Sequence, residues 1–242
     1  MATDSPVAGR FVQARSYTKG PRRGPITVVV IHDMEAPETT KTAENVARYF
    51  ATTAPASAHY CVDSDSVVQC VREADIAWHA PGANANGVGV ELAGYAKQTA
   101  AQWADPFSHA MLILAAQLVA DICKRNRIPA VYVTAAGLKA GKQGVTLHRD
   151  VTAAFHRSTH TDPGPNFPMS AFMGLVVANM HPAAPKPPLL ELWYLVDGPD
   201  KGAIVLPRPG RNALLLSGPD LGVWQAKGWV VVHHAGVPFD RS

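Results

Sequence analysis

An uninterrupted run of β-branched residues, Ile26 to His32 in ITVVVIH, constrains the fold of this chain more than any other feature. The run lacks the apolar and polar alternation of a strand with one solvated face, so it predicts a strand buried on both faces. Strands of this kind occur in sheets that helices cover on both sides. The polar residue His32 stands at the end of the run.

Helical and strand-like segments alternate after this run. Apolar residues at helical spacing predict helices over 38–52, 107–127 and 170–180. Short β-rich runs predict a hairpin and three further strands, over 57–72, 87–95, 131–134 and 145–150. Loops are expected over 137–144 and over 158–168, which contains three prolines. The fold class predicted is α/β, a mixed central β-sheet with helices on both faces.

The last quarter of the chain has a different pattern. Residues 183–188 read AAPKPP, typical of a semi-rigid linker, and residues 189–242 are short apolar runs separated by Gly and Pro. Segments 195–202 and 215–222 resemble each other at a period of 20 residues. The resemblance indicates two similar hairpins or is a coincidence. We therefore expect a domain over 1–182, a Pro-rich linker over 183–188 and a small all-β C-terminal module over 189–242.

Composition excludes several classes of protein. With 47% apolar and 17% charged residues, the 242-residue chain can bury a large core and is not a disordered tail. The net charge is only +3 and no basic run exceeds Arg22-Arg23, so nucleic-acid binding has little support. The start has no apolar signal region and the apolar run 110–120 is short for a bilayer, so we expect a soluble chain without membrane insertion.

The cysteines are odd in number and lack zinc-finger spacing: Cys61, Cys70 and Cys123. Neither a disulfide framework nor a zinc knuckle is expected. For Cys61 and Cys70, two buried thiols are favoured over a bridge.

Three residues could hold a metal ion. His32 and His148 each end a strand-like run, and Asp162 lies in HTDPGP, where Pro163 and Gly164 stiffen the loop. Catalytic zinc sites use three such ligands on rigid elements. A strand-end His is nevertheless more often structural, and Asp-Pro-Gly is a common turn, so the pattern alone leaves both interpretations open.

Two further residues are unusual in their surroundings. Glu91 interrupts the apolar segment GVGVELAG, where it is salt-bridged, exposed at an edge, or held at a site that requires a raised pKa. His79 precedes a loop of small residues that leads to the Glu91 strand. Such loops commonly line ligand grooves; the alternative for Trp78-His79 is a packing aromatic and a surface His.

Five ordered segments carry a resemblance to a known family: VVVIHDME, SAHYCVDSDSVVQCV, AWHAPGAN with GVGVELAGY, TLHRDV, and STHTDPGPNFP. Together they resemble the zinc-dependent N-acetylmuramoyl-L-alanine amidases of the type 2 amidase family, which share their fold with peptidoglycan recognition proteins. The likeness covers roughly residues 10–180 and is strongest to bacteriophage endolysins of that family.

The resemblance implies a Zn²⁺ cofactor with His32, His148 and Asp162 as ligands. It implies that Glu91 is the catalytic glutamate. Where many members carry Lys this chain has His160, and the role of oxyanion donor passes to it. The substrate groove is expected to contain Trp78, His79 and Asn86.

The function implied is hydrolysis of the amide bond between N-acetylmuramic acid and L-alanine of peptidoglycan, by a phage endolysin. The enzyme is expected to be a monomer that waits in the host cytoplasm and reaches the wall after the membrane is permeabilised. Two alternatives remain, a non-catalytic peptidoglycan-binding protein and a cytosolic amidase that recycles wall fragments. Completeness of the ligand set separates the first from an enzyme, and wall binding by the tail separates the second from an endolysin.

Overall fold

The computed structural model describes residues 2–180 and, farther along, four strands between 192 and 234. The chain divides into two compact units, Met1–His181 and Pro182–Ser242. The Pro-rich linker at 183–188 and most of the two similar segments at 195–202 and 215–222 lie outside the described residues.

A six-stranded sheet forms the centre of the first unit, in the order β1-β5-β4-β7-β3-β8. The β4–β5 pair is antiparallel, whereas β3 runs parallel to both of its neighbours, β7 and β8. A separate two-stranded ribbon joins β2 to β6. The strands are β1 Arg10–Phe11, β2 Tyr17–Thr18, β3 Val28–Asp33, β4 Tyr60–Val62, β5 Val67–Gln69, β6 Ile76–Ala77, β7 Gly87–Leu92 and β8 Gly144–Leu147.

Helices cover both faces of this sheet, as the buried run at β3 predicts. They are α1 Thr42–Thr52, α2 Ala100–Trp103, α3 Pro106–Asn126, α4 Ala135–Lys139, α5 His148–Phe155 and α6 Met169–Met180. Helices α3 and α6 bury alternate residues of β3, including Val29 and Ile31, in the largest apolar cluster. On the opposite face, α1 covers β4 and β5, and α4 and α5 cover Val28 and Val30. The predicted fold class is confirmed for this unit.

Several boundaries differ from the sequence expectation. Helix α1 begins at Thr42, not at residue 38, because Glu38 is used in tertiary hydrogen bonds from Ser108 and Gln98. The segment 131–134 makes only an isolated bridge from Tyr132 to β8. Part of the expected loop 137–144 is the short helix α4, whose first turn is capped by Thr134.

The segment 145–150 is only half strand, a difference that matters for the site. Strand β8 ends at Leu147, and His148 is the first residue of α5. The imidazole of His148 therefore projects from a rigid strand-to-helix junction at the carboxyl end of β8.

Helix α3 is the one described helix that is long and apolar enough to cross a membrane by length and composition. More than half of its most apolar window is buried within the fold, as in a core helix. The three cysteines are buried free thiols, with 3.8 Å between the Sγ atoms of Cys61 and Cys70.

Four strands of the second unit form a sheet of their own in the order β11-β10-β9-β12. Strand β10 is antiparallel to β9 and β11, and β12 is parallel to β9. The strands are β9 Leu192–Leu195, β10 Ile204–Arg208, β11 Arg211–Leu216 and β12 Val231–His234.

Candidate active site

Three side chains meet at the carboxyl ends of β3 and β8. His32 lies near the end of β3, His148 follows β8, and Asp162 comes from the irregular segment before α6. One potential ligand atom from each lies within 4.8 Å of the others, and all three residues are buried. Because β3 and β8 are parallel neighbours, the fold brings together residues that are more than 100 positions apart in sequence.

The carboxylate of Asp162 lies between the two imidazoles. Its Oδ2 is 3.1 Å from Nδ1 of His32, and its Oδ1 is 3.0 Å from Nδ1 of His148. Burial alone would raise the pKa of Asp162, but the hydrogen bonds from His148 and His32 outweigh it and hold that pKa well below its usual range. Burial also lowers the pKa of His32, which Asp162 partly offsets. Asp162 is therefore an anion beside two imidazoles.

This donor set fits a zinc ion. Two imidazole nitrogens and one carboxylate are a ligand combination of catalytic zinc, with a fourth position free for water. Buried carboxylates and imidazoles that lack other strong partners are costly unless they bind a cation or each other. Nε2 of His148 is buried without a hydrogen-bond partner in the described part of the chain, so its Nδ1 is the only nitrogen of that ring engaged in the cluster.

Glu91 faces the same side of the sheet as His32, because the two are register partners on β7 and β3. Its Oε2 is buried and has no hydrogen-bond partner among the described residues. Burial, followed by the negative charges of Asp162 and Asp33, raises the pKa of Glu91 well above its usual range. A carboxyl group in this state is suited to accept and return a proton near neutral pH.

His160 stacks on His148 with 4.6 Å between ring centroids and 19° between planes. Its Nδ1 is 3.6 Å from Oδ1 of Asp162, and its side chain is 65% exposed. His160 is thus the ligand cluster's solvent-facing neighbour.

These residues line a cavity of about 470 Å³. One wall is apolar and includes Val46, Tyr49 and Phe50 of α1 together with the half-exposed Trp78. Acidic residues Asp33 and Glu35 lie beside the ligand cluster. The cavity therefore places an apolar wall beside the three donor side chains.

His79 also borders the cavity, but its ring is only slightly accessible and contacts His32. Asn86 is not among the cavity residues, so its predicted role in the groove is not supported by its position. Its amide donates to Oγ1 of Thr27, at the amino end of β7, whereas the site lies at the carboxyl end. The residues of this loop do not share one environment, because the loop extends from the cavity at His79 to the amino end of β7.

The sequence reasoning missed Asp33 and Arg22. Asp33 follows His32 directly, and burial raises its pKa to about 7. The side chain of Arg22 donates to the backbone carbonyls of residues 73, 84, 85 and 87 and faces Nε2 of the buried His59. The only sequence signal for Arg22 is the pair Arg22-Arg23, which is too short a basic run to indicate a role.

Comparison with known sequences gives the family of this chain. The family model described as N-acetylmuramoyl-L-alanine amidase matches residues 22–165, more than half of the chain. No curated protein sequence is significantly similar to the chain.

Solved structures show a similar fold. The hydrolase AmiA of Staphylococcus aureus, in complex with its ligand, is 16% identical, with a TM-score of 0.53 over 74% of this chain and 89% of that one. A selenomethionine derivative of AmpD is 24% identical, with a TM-score of 0.50 over 73% of this chain and 99% of that one. The family match covers more than half of the chain and includes His32, His148 and Asp162, so the chain belongs to the N-acetylmuramoyl-L-alanine amidase family.

Proposed function

We propose that this amidase uses Zn²⁺ held by His32, His148 and Asp162 to cleave the bond between N-acetylmuramic acid and the L-alanine of the stem peptide. The observation that carries the proposal is the convergence of these three donors within 4.8 Å, in a cavity that also presents Glu91. A protein that only bound peptidoglycan would need neither a complete ligand set nor a buried carboxyl group beside it.

When bound, the zinc ion supplies Lewis acidity, which polarises the scissile carbonyl and lowers the pKa of a water molecule to about 7. Glu91 accepts one proton from the attacking water as its oxygen bonds to the lactyl carbonyl carbon. The same carboxyl group then gives the proton to the nitrogen of L-alanine as the C–N bond breaks. The raised pKa of Glu91 suits both steps, because it makes the carboxylate a stronger base toward the attacking water while the resulting carboxylic acid can still protonate the departing nitrogen.

His160 acts on the developing oxyanion. Its ring is exposed at the cavity and stacked beside His148, where a ring N–H can donate a hydrogen bond to negative charge on the former carbonyl oxygen. A Lys side chain at this position supplies the same donor as a permanent cation, so His160→Lys is the conservative variant of this role.

A soluble muropeptide tests the chemistry. The full chain is incubated with N-acetylmuramoyl-tripeptide, and the released peptide is identified by mass spectrometry and by its new L-alanine amino group. We expect cleavage at this bond, loss of activity with a chelator, recovery with zinc, and no cleavage by Glu91→Ala. Full activity in protein shown to be free of zinc would contradict the proposal.

We further propose that the enzyme is an endolysin that acts on the intact wall after another protein has opened the host membrane. The second compact unit, Pro182–Ser242, supports this role because it lies beyond the segment matched by the family model. Recycling of soluble wall fragments requires no additional unit for docking on a polymer. It remains the alternative function of the same site.

The choice between these roles is tested by substrate preference. Purified enzyme is given equal molar amounts of scissile bonds as insoluble sacculi or as soluble muropeptides. An endolysin should clear the sacculi at a rate comparable to that on soluble fragments. Rapid cleavage of fragments together with inert sacculi would favour recycling.

A further inference from the structure

His79 is buried directly behind the ligand cluster. Only 8% of the residue is exposed, and its Nδ1 lies 3.0 Å from Nε2 of His32. The two rings meet edge to face, with 5.2 Å between centroids and 83° between planes. A ring so placed presents little surface to a substrate and one nitrogen to His32.

Strand β7 provides the space for this ring. A Cβ atom built on Gly89 would lie 2.6 Å from Cγ of His79, and one on Gly87 would lie 3.4 Å from Cε1. The backbone of the His79 loop is fixed as well, because the N–H groups of His79 and Ala80 donate to Oδ1 of Asn84. Gly89 therefore leaves room for the imidazole, and the hydrogen-bonded loop fixes the backbone from which the side chain extends.

The hydrogen bond has a defined direction once His32 acts as a ligand. Nδ1 of His32 is the nitrogen that faces Asp162, and a nitrogen that binds a metal cannot carry a proton. The proton of a neutral His32 ring must then be on Nε2, which points at Nδ1 of His79. His79 would then accept this hydrogen bond and carry its own proton on Nε2, which is buried and has no hydrogen-bond partner among the described residues.

We propose that His79 is a positioning residue that fixes the tautomer and ring orientation of His32 for metal binding, and that it does not read the substrate. The inference rests on the zinc site of the proposed function. Acceptors behind metal-binding imidazoles are usually carboxylates, carbonyls or water, and losing one typically weakens metal affinity about 10–100-fold. Here the acceptor is a second imidazole. The two histidine ligands differ in this respect, because Nε2 of His148 has no partner in the part of the chain that the structure describes.

Two variants of the full chain separate an acceptor from a mere space-filling ring. His79→Asn places a carbonyl oxygen near the position of Nδ1, whereas His79→Leu keeps apolar bulk without an acceptor. Zinc affinity is measured by competition with a chromophoric chelator. We expect affinity to fall about 10–100-fold in His79→Leu and by less than about threefold in His79→Asn. His109→Leu, at an exposed position of α3, is the control and should match the wild type.

Additional readouts distinguish the competing roles. The melting temperature of the metal-free protein should be similar in the two His79 variants, and KM for a soluble muropeptide at saturating zinc should stay near the wild-type value. A raised KM with unchanged zinc affinity would overturn the inference in favour of substrate contact. Equal affinities in both variants would overturn it in favour of packing alone. If the wild-type chain itself bound no zinc, the proposed function would fail first, and this outcome is distinct from the other two.

Discussion

At the scale of one residue, Glu91 is a carboxyl group in an environment that disfavours its charged form. The sequence already marks it as the single carboxylate in an apolar strand, and the structure gives it an unpartnered buried oxygen. Active-site residues of this kind commonly reduce the stability of the fold that holds them.

Replacing Glu91 by Gln should stabilise the metal-free protein while abolishing amidase activity. The pKa of Glu91 is raised in the folded state, so its carboxyl group binds a proton more tightly there than in the unfolded chain, where the pKa is about 4.3. The contribution of Glu91 to the free energy of unfolding is therefore fully present below about pH 4. It is lost as the pH rises through the raised pKa of the folded state. Thermal unfolding at pH 5 and pH 8 in the presence of a chelator measures the effect.

The advantage of Glu91→Gln should be larger at pH 8, with a gain of about 2–4 °C for each kcal/mol recovered. The matched control is Glu35→Gln, since Glu35 also lines the cavity but is exposed. A Glu91→Gln variant that melts at or below the wild-type temperature at pH 8 would show that the buried carboxyl group carries no such penalty.

The residues of the site were predictable to different degrees. His32, His148 and Asp162 could be named because strand ends and a stiff Asp-Pro-Gly loop are visible in the sequence, and the family resemblance joined them. The contact of His79 with His32 could not be predicted from sequence. It depends on the room that Gly89 of β7 leaves for the His79 ring beside His32 of β3. The position of Asn86 away from the cavity could not be predicted for a similar reason, since sequence proximity to His79 does not indicate at which end of β7 a residue lies.

At the scale of elements, Arg22 holds together parts of the chain that form no ladder with each other. Its guanidinium group donates to four backbone carbonyls, three of which belong to residues 84, 85 and 87, at the start of β7 and just before it. This segment closes the loop that carries His79. Arg22, six residues before β3, thus contacts the start of β7, the strand on which Glu91 lies.

Arg22→Met should destabilise the protein by about 2–4 kcal/mol, because several carbonyl groups lose a charged donor at once. Arg23→Met is the matched control, since the neighbouring Arg23 is exposed, and we expect a change of no more than about 0.5 kcal/mol. Urea unfolding of both variants checks this prediction. Equal effects of the two substitutions would mean that the carbonyls find other partners.

The elements themselves were predictable from sequence where burial is continuous or recurs with a clear period. The run at β3 was informative because the whole strand is buried, and the apolar spacing of α3 and α6 was informative because their buried residues recur at helical spacing. The start of α1 and the end of β8 were not, since tertiary contacts of Glu38 and the turn at Leu147 decide them. Boundaries depend on neighbours that a local pattern does not include.

At the scale of the whole molecule, the second unit is the feature that the amidase family match leaves unexplained. The match ends at residue 165, whereas the second compact unit begins at Pro182. The expected domain over 189–242 and its wall-binding role remain predictions. If the second unit binds the wall, its removal separates catalysis from retention on the polymer.

A chain that ends at His181 should cleave soluble muropeptide as fast as the full chain but should be retained less by insoluble cell walls. The reason is that the proposed ligands and Glu91 all lie in the first unit. Sedimentation with purified walls, followed by a muropeptide assay of each fraction, measures both properties. Undiminished retention of the shorter chain would assign wall binding to the amidase unit itself.

The contact between His32 and Asp162 spans 130 residues of sequence. A metal ion bound by both would act as a reversible cross-link that closes a loop containing most of the first unit. Closing so long a loop removes more entropy from the unfolded chain than closing a short one, and binding to the folded state alone adds stability in proportion to the logarithm of the free ion concentration. The midpoint of thermal unfolding should therefore report the zinc level of the surroundings, and an enzyme deprived of the ion would lose its resistance to unfolding together with its activity.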